Sequence, residues 1–279
     1  MTVLAPELWR ARRAAHEARV DAWTRPALER ASRSEAHPVE DFLFTYDAHR
    51  PAQLRRWSPG PGVVLVRAPV EPPFVGGDGG AVLPPPSDKV RATAARTADL
   101  LARTAARAPS FGCFGMHEWA MVHGTGQAEV RHAAYPLRLG AAATSAVVES
   151  LPVRCTHFDA FRFFTPSARP LNLLQPTRET QADLEQPGCL HAGMDLYRAA
   201  YLLSPHVEAE LVADAFALAR EVRLLDVRAS PYDLSALGHA PVRVETPEGR
   251  AEYVAAQRAF AEQAAPLRRR VLDAARALV

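Results

Sequence analysis

The residues best suited to chemistry are histidines that stand close to carboxylates. Five segments place a His or Arg beside an acid in an otherwise apolar setting. They are His37-Pro38-Val39-Glu40-Asp41, Met116-His117-Glu118-Trp119, and His157 with Asp159 and Arg162. The others are Glu185 to Asp195 with His191 between them, and Asp226 to Asp233 with Arg228 and Tyr232. A spacing of three or four on a helix puts both side chains on one face, so His37 pairs with Glu40 and His191 with Asp195. Such pairs can ligate a metal, or the carboxylate can orient the imidazole for proton transfer. The metalloprotease pattern HExxH is absent, since His117-Glu118 has no second His four residues after the first. The competing account of each pair is a buried hydrogen bond that ties two helices together. Taken together, the segments point to an active site, with iron or zinc on His37, His117, His157 and His191 as the metal-dependent form.

The richest local text is CTHFDAFRFFTPSARPLN, in which four Phe surround His157, Asp159 and Arg162. On a helix, Asp159 and Arg162 pair at i,i+3 while His157, Phe161 and Phe164 share a face. A pocket of aromatic walls with charges at its edge would suit a planar ligand. Arg228 is either a structural clamp with Asp226 or Asp233, or an anchor for substrate.

Other chemistries are excluded by composition. Among 33 Lys+Arg, Lys89 is the only lysine, and it opens a helix. Arginine stays protonated and forms no Schiff base, so pyridoxal phosphate, Walker-type and lysine-lyase chemistry become poor candidates. No GxSxG elbow is present, and GGDGG at 76–80 lacks the spacing and context of a dinucleotide loop. Cys113, Cys155 and Cys189 are far apart without CxxC spacing, which argues against a disulfide framework or a Cys-rich zinc site and predicts three small packing residues. The net charge of +2 is low for a duplex binder.

The elements that must carry these residues read as mainly α. With 48% hydrophobic residues in 279, the chain can bury a sizeable core and is expected to form a single helical domain over 1–279. Helices are predicted over 5–35 with a kink or division at Pro26, over 88–107, 187–203 and 206–226, and over 248–277 with a break near Pro266. Residues 63–70 carry the one clear β signal. Residues 71–88, dense in Gly and Pro, are predicted to be a loop or lid, and 111–176 a run of short helices and turns. No apolar stretch is long enough to span a membrane and the N-terminus lacks a signal-peptide core, so a cytoplasmic, membrane-free protein is expected.

The segments HPVEDFLFTY, RRWSPGPGVVL, GCFGMHEWAMV, RHAAYPLRLG, CTHFDAFRFFTP, EQPGCLHAGMDLYRAAYLLSP and LDVRASPYDL resemble a family of actinobacterial proteins labelled 3-methyladenine DNA glycosylase, over nearly the whole chain. That resemblance implies a hydrolase without a cofactor, acting in base-excision DNA repair on DNA that carries an alkylated base. Trp119, Phe158, Phe161 and Tyr197 would then line the base pocket beside Arg162 and Arg228. Asp159, Glu118 or Asp195 would supply the carboxylate, with His157 and His191 nearby. With so little lysine the enzyme would be monofunctional. The alternative from the residues alone is a His/carboxylate metal-dependent enzyme, with iron or zinc, acting on a small molecule.

Overall fold

A computed structural model describes residues 1–279. In chain order the elements are β1 (Thr2–Leu4), α1 (Pro6–Ser32), α2 (Phe42–Tyr46), α3 (Pro51–Leu54), β2 (Val63–Val66), β3 (Val75–Gly77), β4 (Gly80–Val82) and α4 (Asp88–Ala106). They continue with α5 (Met116–Ala120), α6 (Gly140–Ser150), α7 (Phe158–Phe161), α8 (Gln181–Leu184), α9 (Leu190–Tyr201), α10 (Ala209–Ala229) and α11 (Pro247–Arg276). The chain is therefore mainly helical with one small sheet. No helix is long and apolar enough to cross a membrane. Residues 1–99, 195–220 and 267–279 form one compact unit, and residues 100–194 and 221–266 form a second. The boundaries between them fall inside α4, α9, α10 and α11.

In the first unit, α1 is rich in Arg and Ala, yet Trp9, His16, Val20, Thr24 and Ala27 recur on one buried face. The predicted division at Pro26 does not occur, and the helix runs through it to Ser32. Proline removes one ladder hydrogen bond, and the buried residues before and after it hold the helix on its core. The same holds at Pro266, where a break was expected. Tyr253, Gln257 and Ala264 are buried before it, and Leu267, Val271 and Ala275 after it, so α11 is continuous.

The sheet has the order β1-β2-β4-β3, with β1 parallel to β2 and the other pairs antiparallel. Leu4 sits opposite Leu65, and Leu65 opposite Ala81. These three share one face and bury it against Trp9, Trp57 and Ala209. The Trp9 indole N–H donates to the Val66 carbonyl at 3.0 Å, which ties α1 to the sheet.

Three of the β3 and β4 residues, Gly76, Gly77 and Gly80, belong to the GGDGG run, so the expectation of a loop or lid over 71–88 is corrected. Gly77 pairs with Gly80 across Asp78-Gly79, a two-residue turn of the kind that closes hairpins, and Gly79 has φ +87°. The glycines that read as flexibility are here the residues that permit pairing. A Cβ on Gly80 would lie 2.2 Å from the Leu65 carbonyl oxygen, so only glycine lets β4 approach β2.

The second unit contains most of the predicted short helices and turns. Its irregular segments satisfy their backbone groups through side chains, as a buried loop must. Asn172 accepts the Cys155 N–H at 2.7 Å and donates to the carbonyls of Cys155 and Leu174. Gln186 accepts the N–H groups of Ser110 and Gly188, each at 2.7 Å.

Two outcomes follow from this architecture. Gly80→Ala should destabilise the protein by at least about 2 kcal/mol through the forced separation of β2 and β4. Gly76→Ala, whose Cβ would meet only a Val70 methyl at 4.0 Å, should stay within about 0.5 kcal/mol of wild type in urea denaturation. His49 is buried beneath Tyr201 and its Nδ1 meets the Tyr197 hydroxyl at 2.7 Å. Burial lowers its pKa from 6.5 to about 4. The unfolded chain therefore takes up a proton below pH 6.5 that the folded protein refuses until about pH 4. Stability from this residue is complete above pH 6.5 and falls by up to about 3 kcal/mol as pH drops through that window. In His49→Gln the pH-dependent loss between pH 6.5 and 4, measured by denaturant titration, should shrink by that amount.

Candidate metal centre

The second unit brings three imidazoles together that are separated by up to 74 residues in sequence. His117 comes from α5, His191 from the first turn of α9, and His157 from the residue before α7. The His117 and His191 rings meet edge to face with centroids 4.6 Å apart, and His191 stacks on His157 at 5.2 Å. A carboxylate closes each end of this row. His117 Nε2 lies 2.8 Å from Asp226 Oδ1, and His157 Nε2 lies 2.9 Å from Glu185 Oε1. Donor atoms of His117, His191 and Asp226 all lie within 4.8 Å of one another.

Local sequence explains how each side chain is held. Gly115 takes φ +71° immediately before α5, with Tyr253 and Ala229 packed where a Cβ would point. That turn starts a helix too short to fix itself, so Trp119 anchors it. The Trp119 ring is fully buried and its indole N–H donates to the Ala229 carbonyl at 2.8 Å. Asp226 and Arg223 share one face of α10 at a spacing of three. Arg223 Nη1 donates to Asp226 Oδ2 at 2.7 Å and to Glu118 Oε1 at 2.9 Å. Gln257 Nε2 donates to the Gly188 carbonyl at 2.6 Å and so fixes the chain entering α9.

Protonation follows from burial and neighbours. Burial alone would drive the His117 pKa down, yet attraction to Asp226 and their hydrogen bond hold it well above the usual histidine value. Asp226 is pulled below the usual carboxylate range by His117 and Arg223, against the burial that opposes it. His191 is pushed well down by burial and by the charge on His117. Burial, with repulsion from Asp226, raises Glu118 even though Arg223 lies against it. The row thus contains a neutral imidazole, an ionised carboxylate and a charged imidazole whose proton a cation would displace.

A cavity of about 10 Å³ adjoins His117 and His191, enough for one water-sized occupant. Cys113, Cys155 and Cys189 all line it, each a free thiol. Their distance along the chain hid the convergence. Burial raises the pKa of Cys155 and of Cys189, which keeps both as thiols. Gln257 also lines the cavity, and its buried Oε1 accepts no hydrogen bond from the protein.

The remaining expected site residues are not among the three donors His117, His191 and Asp226. His37 belongs to the first unit, and its Nδ1 accepts the N–H groups of Val39 and Glu40, so it is not among the converging imidazoles. Tyr197 is also in that unit and fully buried. Asp195 is half-buried one helical turn after His191. Asp159 is buried and pairs with Arg162 at 3.1 Å, as the spacing predicted, and with Arg178 at 3.5 Å. Phe158 is half-buried beneath the Arg178 guanidinium, and Phe161 is buried against Phe164. Arg228 is a clamp, but to the Ala240 carbonyl and Glu252 rather than to Asp226 or Asp233. Sequence reasoning missed Arg223 altogether and named Asp226 only as a partner for Arg228. The available signal was two charges spaced by three within the apolar run of α10.

Arg223→Met should cost about 3–5 kcal/mol in chemical denaturation, because it leaves Glu118 and Asp226 buried without their shared cation. Adding Glu118→Gln should restore part of the loss, since Asp226 keeps His117 while Glu118 is the charge that loses its cation.

No family model matches the chain, and neither the curated proteins nor the solved structures yield a match.

Proposed function

We propose that the protein is a metal-dependent enzyme acting on a small molecule, with one divalent iron or zinc ion held by His117, His191 and Asp226. The convergence of these three donor atoms within 4.8 Å, inside a folded core, carries the reading. Two imidazoles and one carboxylate are a donor set suited to divalent iron or zinc, and they leave coordination positions for water or a substrate atom. When bound, the ion would supply Lewis-acid or redox chemistry at those positions.

The surrounding residues support that reading. Arg223, itself held by Glu118, fixes the Asp226 carboxylate, as an outer-shell partner of a metal ligand does. Burial and the neighbouring charge on His117 hold His191 in its neutral form, which is the ligating form. His157, stacked on His191 and bonded to Glu185, sets a second imidazole–carboxylate pair beside the centre, where it can hold or move a proton. The water-sized cavity with its unpaired Gln257 carbonyl gives a small polar ligand a place next to both imidazoles.

The base-excision reading implied by the resemblance draws less support. Trp119, Phe161 and Tyr197 are enclosed by the fold and turn no open face to a flipped base. Asp159 is held between two arginines.

Elemental analysis after loading with Fe(II) or Zn(II) and removal of excess ion tests the proposal. About one ion per chain is expected, with a rise in Tm as the bound state gains stability. His191→Ala should weaken binding at least about ten-fold while the metal-free Tm stays near wild type. A wild-type protein that retains no ion, or a variant that binds as well, would sink the assignment.

A further inference from the structure

A second, much larger cavity lies wholly within the first unit and takes no part in the metal centre. Its volume is ≈ 950 Å³, at the upper end of the range typical of sites for drug-sized ligands. A concave site of this size with apolar and aromatic lining has the form that takes a small molecule.

The walls come from well-anchored residues. Trp9 and Trp57 reach it from the core against the sheet, Phe74 from the turn before β3, and Tyr201 from the end of α9. Tyr201 is braced by the His49 ring, parallel to it at 4.7 Å. The tryptophan N–H groups are already used, Trp9 on Val66 and Trp57 on Glu210 at 3.0 Å, so the indoles offer apolar surface and no donors. The Ser58 hydroxyl is likewise committed to the Pro205 carbonyl at 2.6 Å.

Charge selects the ligand class. Glu17 neutralises Arg13 at 2.9 Å and Arg55 at 3.3 Å, and Arg55 also reaches Asp21 at 2.8 Å. Arg56 and Glu71, both exposed and opposite in sign, complete the charged lining. The lining holds three arginines and two glutamates, and Asp21 behind Arg55 brings the acids level. The site therefore presents apolar and aromatic walls with compensated charge, a better match for a neutral ring system than for an ionic ligand.

We infer that this cavity binds an uncharged aromatic small molecule, its rings against Trp57, Phe74 and Tyr201. The inference is independent of the metal centre, and its test needs no metal. The full-length protein is titrated with the neutral fluorophore N-phenyl-1-naphthylamine and, separately, with the anionic 1-anilinonaphthalene-8-sulfonate. Saturable one-to-one binding of the neutral probe with quenching of tryptophan emission is expected, at least about ten-fold tighter than the anionic probe. Ala52→Trp fills the cavity from an exposed position on α3, so the fold should survive while affinity falls at least about ten-fold. Leu28→Glu, also exposed and on the lining, should act in the same direction. Non-saturable binding, unchanged affinity in both variants, or an anionic probe bound as tightly as the neutral one would overturn the inference.

Discussion

The second unit depends on the buried guanidinium of Arg223. It lies between Glu118 and Asp226, and Asp226 in turn holds His117. Taking four ionisable groups out of water costs several kcal/mol for each, and the cost is met only if every charge has its partner in good geometry. That requirement fixes α5 against α10 and leaves neither free to slide. It also sets the imidazole row in place, because the His117 ring is bound through Nε2 to Asp226. Stability and the candidate chemistry thus share the same atoms. Pairing of this kind is a weak source of net stability but a strong constraint on conformation, which is what a metal site needs from its ligands.

The two units solve the problem of polar and apolar groups in opposite ways. In the second, charged groups are drawn inward and paired with one another, and the cavity beside them is about the size of a water molecule. In the first, charges remain at the edge in mutual pairs, while aromatic side chains surround a cavity of ≈ 950 Å³. Small space beside clustered donor atoms suits a compact ion. Large apolar space suits a ring system.

Much of the helical frame was legible from local pattern. The helices at 88–107, 187–203 and 206–226 were visible because capping residues, proline positions and apolar spacing all act within a few residues. Local rules failed where a distant partner decided the outcome. The runs through Pro26 and Pro266 depend on buried faces that outweigh one lost hydrogen bond. GGDGG formed a hairpin because β2 lies ready to pair with Gly80, a strand some fifteen residues earlier. Of the four histidines named as ligands, three converge, and His37 serves as a local cap whose role no spacing rule separates from ligation.

The sequence by itself determined the residue types available for chemistry: one lysine, no serine elbow, and imidazoles accompanied by carboxylates. It also determined the helical character, since propensity, capping and periodicity are properties of neighbouring residues. Only the tertiary structure decided which imidazole meets which acid. His117 and Asp226 are 109 residues apart, and three cysteines with no motif in common line one cavity. Such pairings carry no local signature, because they depend on burial and on electrostatic partners that exist only once the chain has closed on itself.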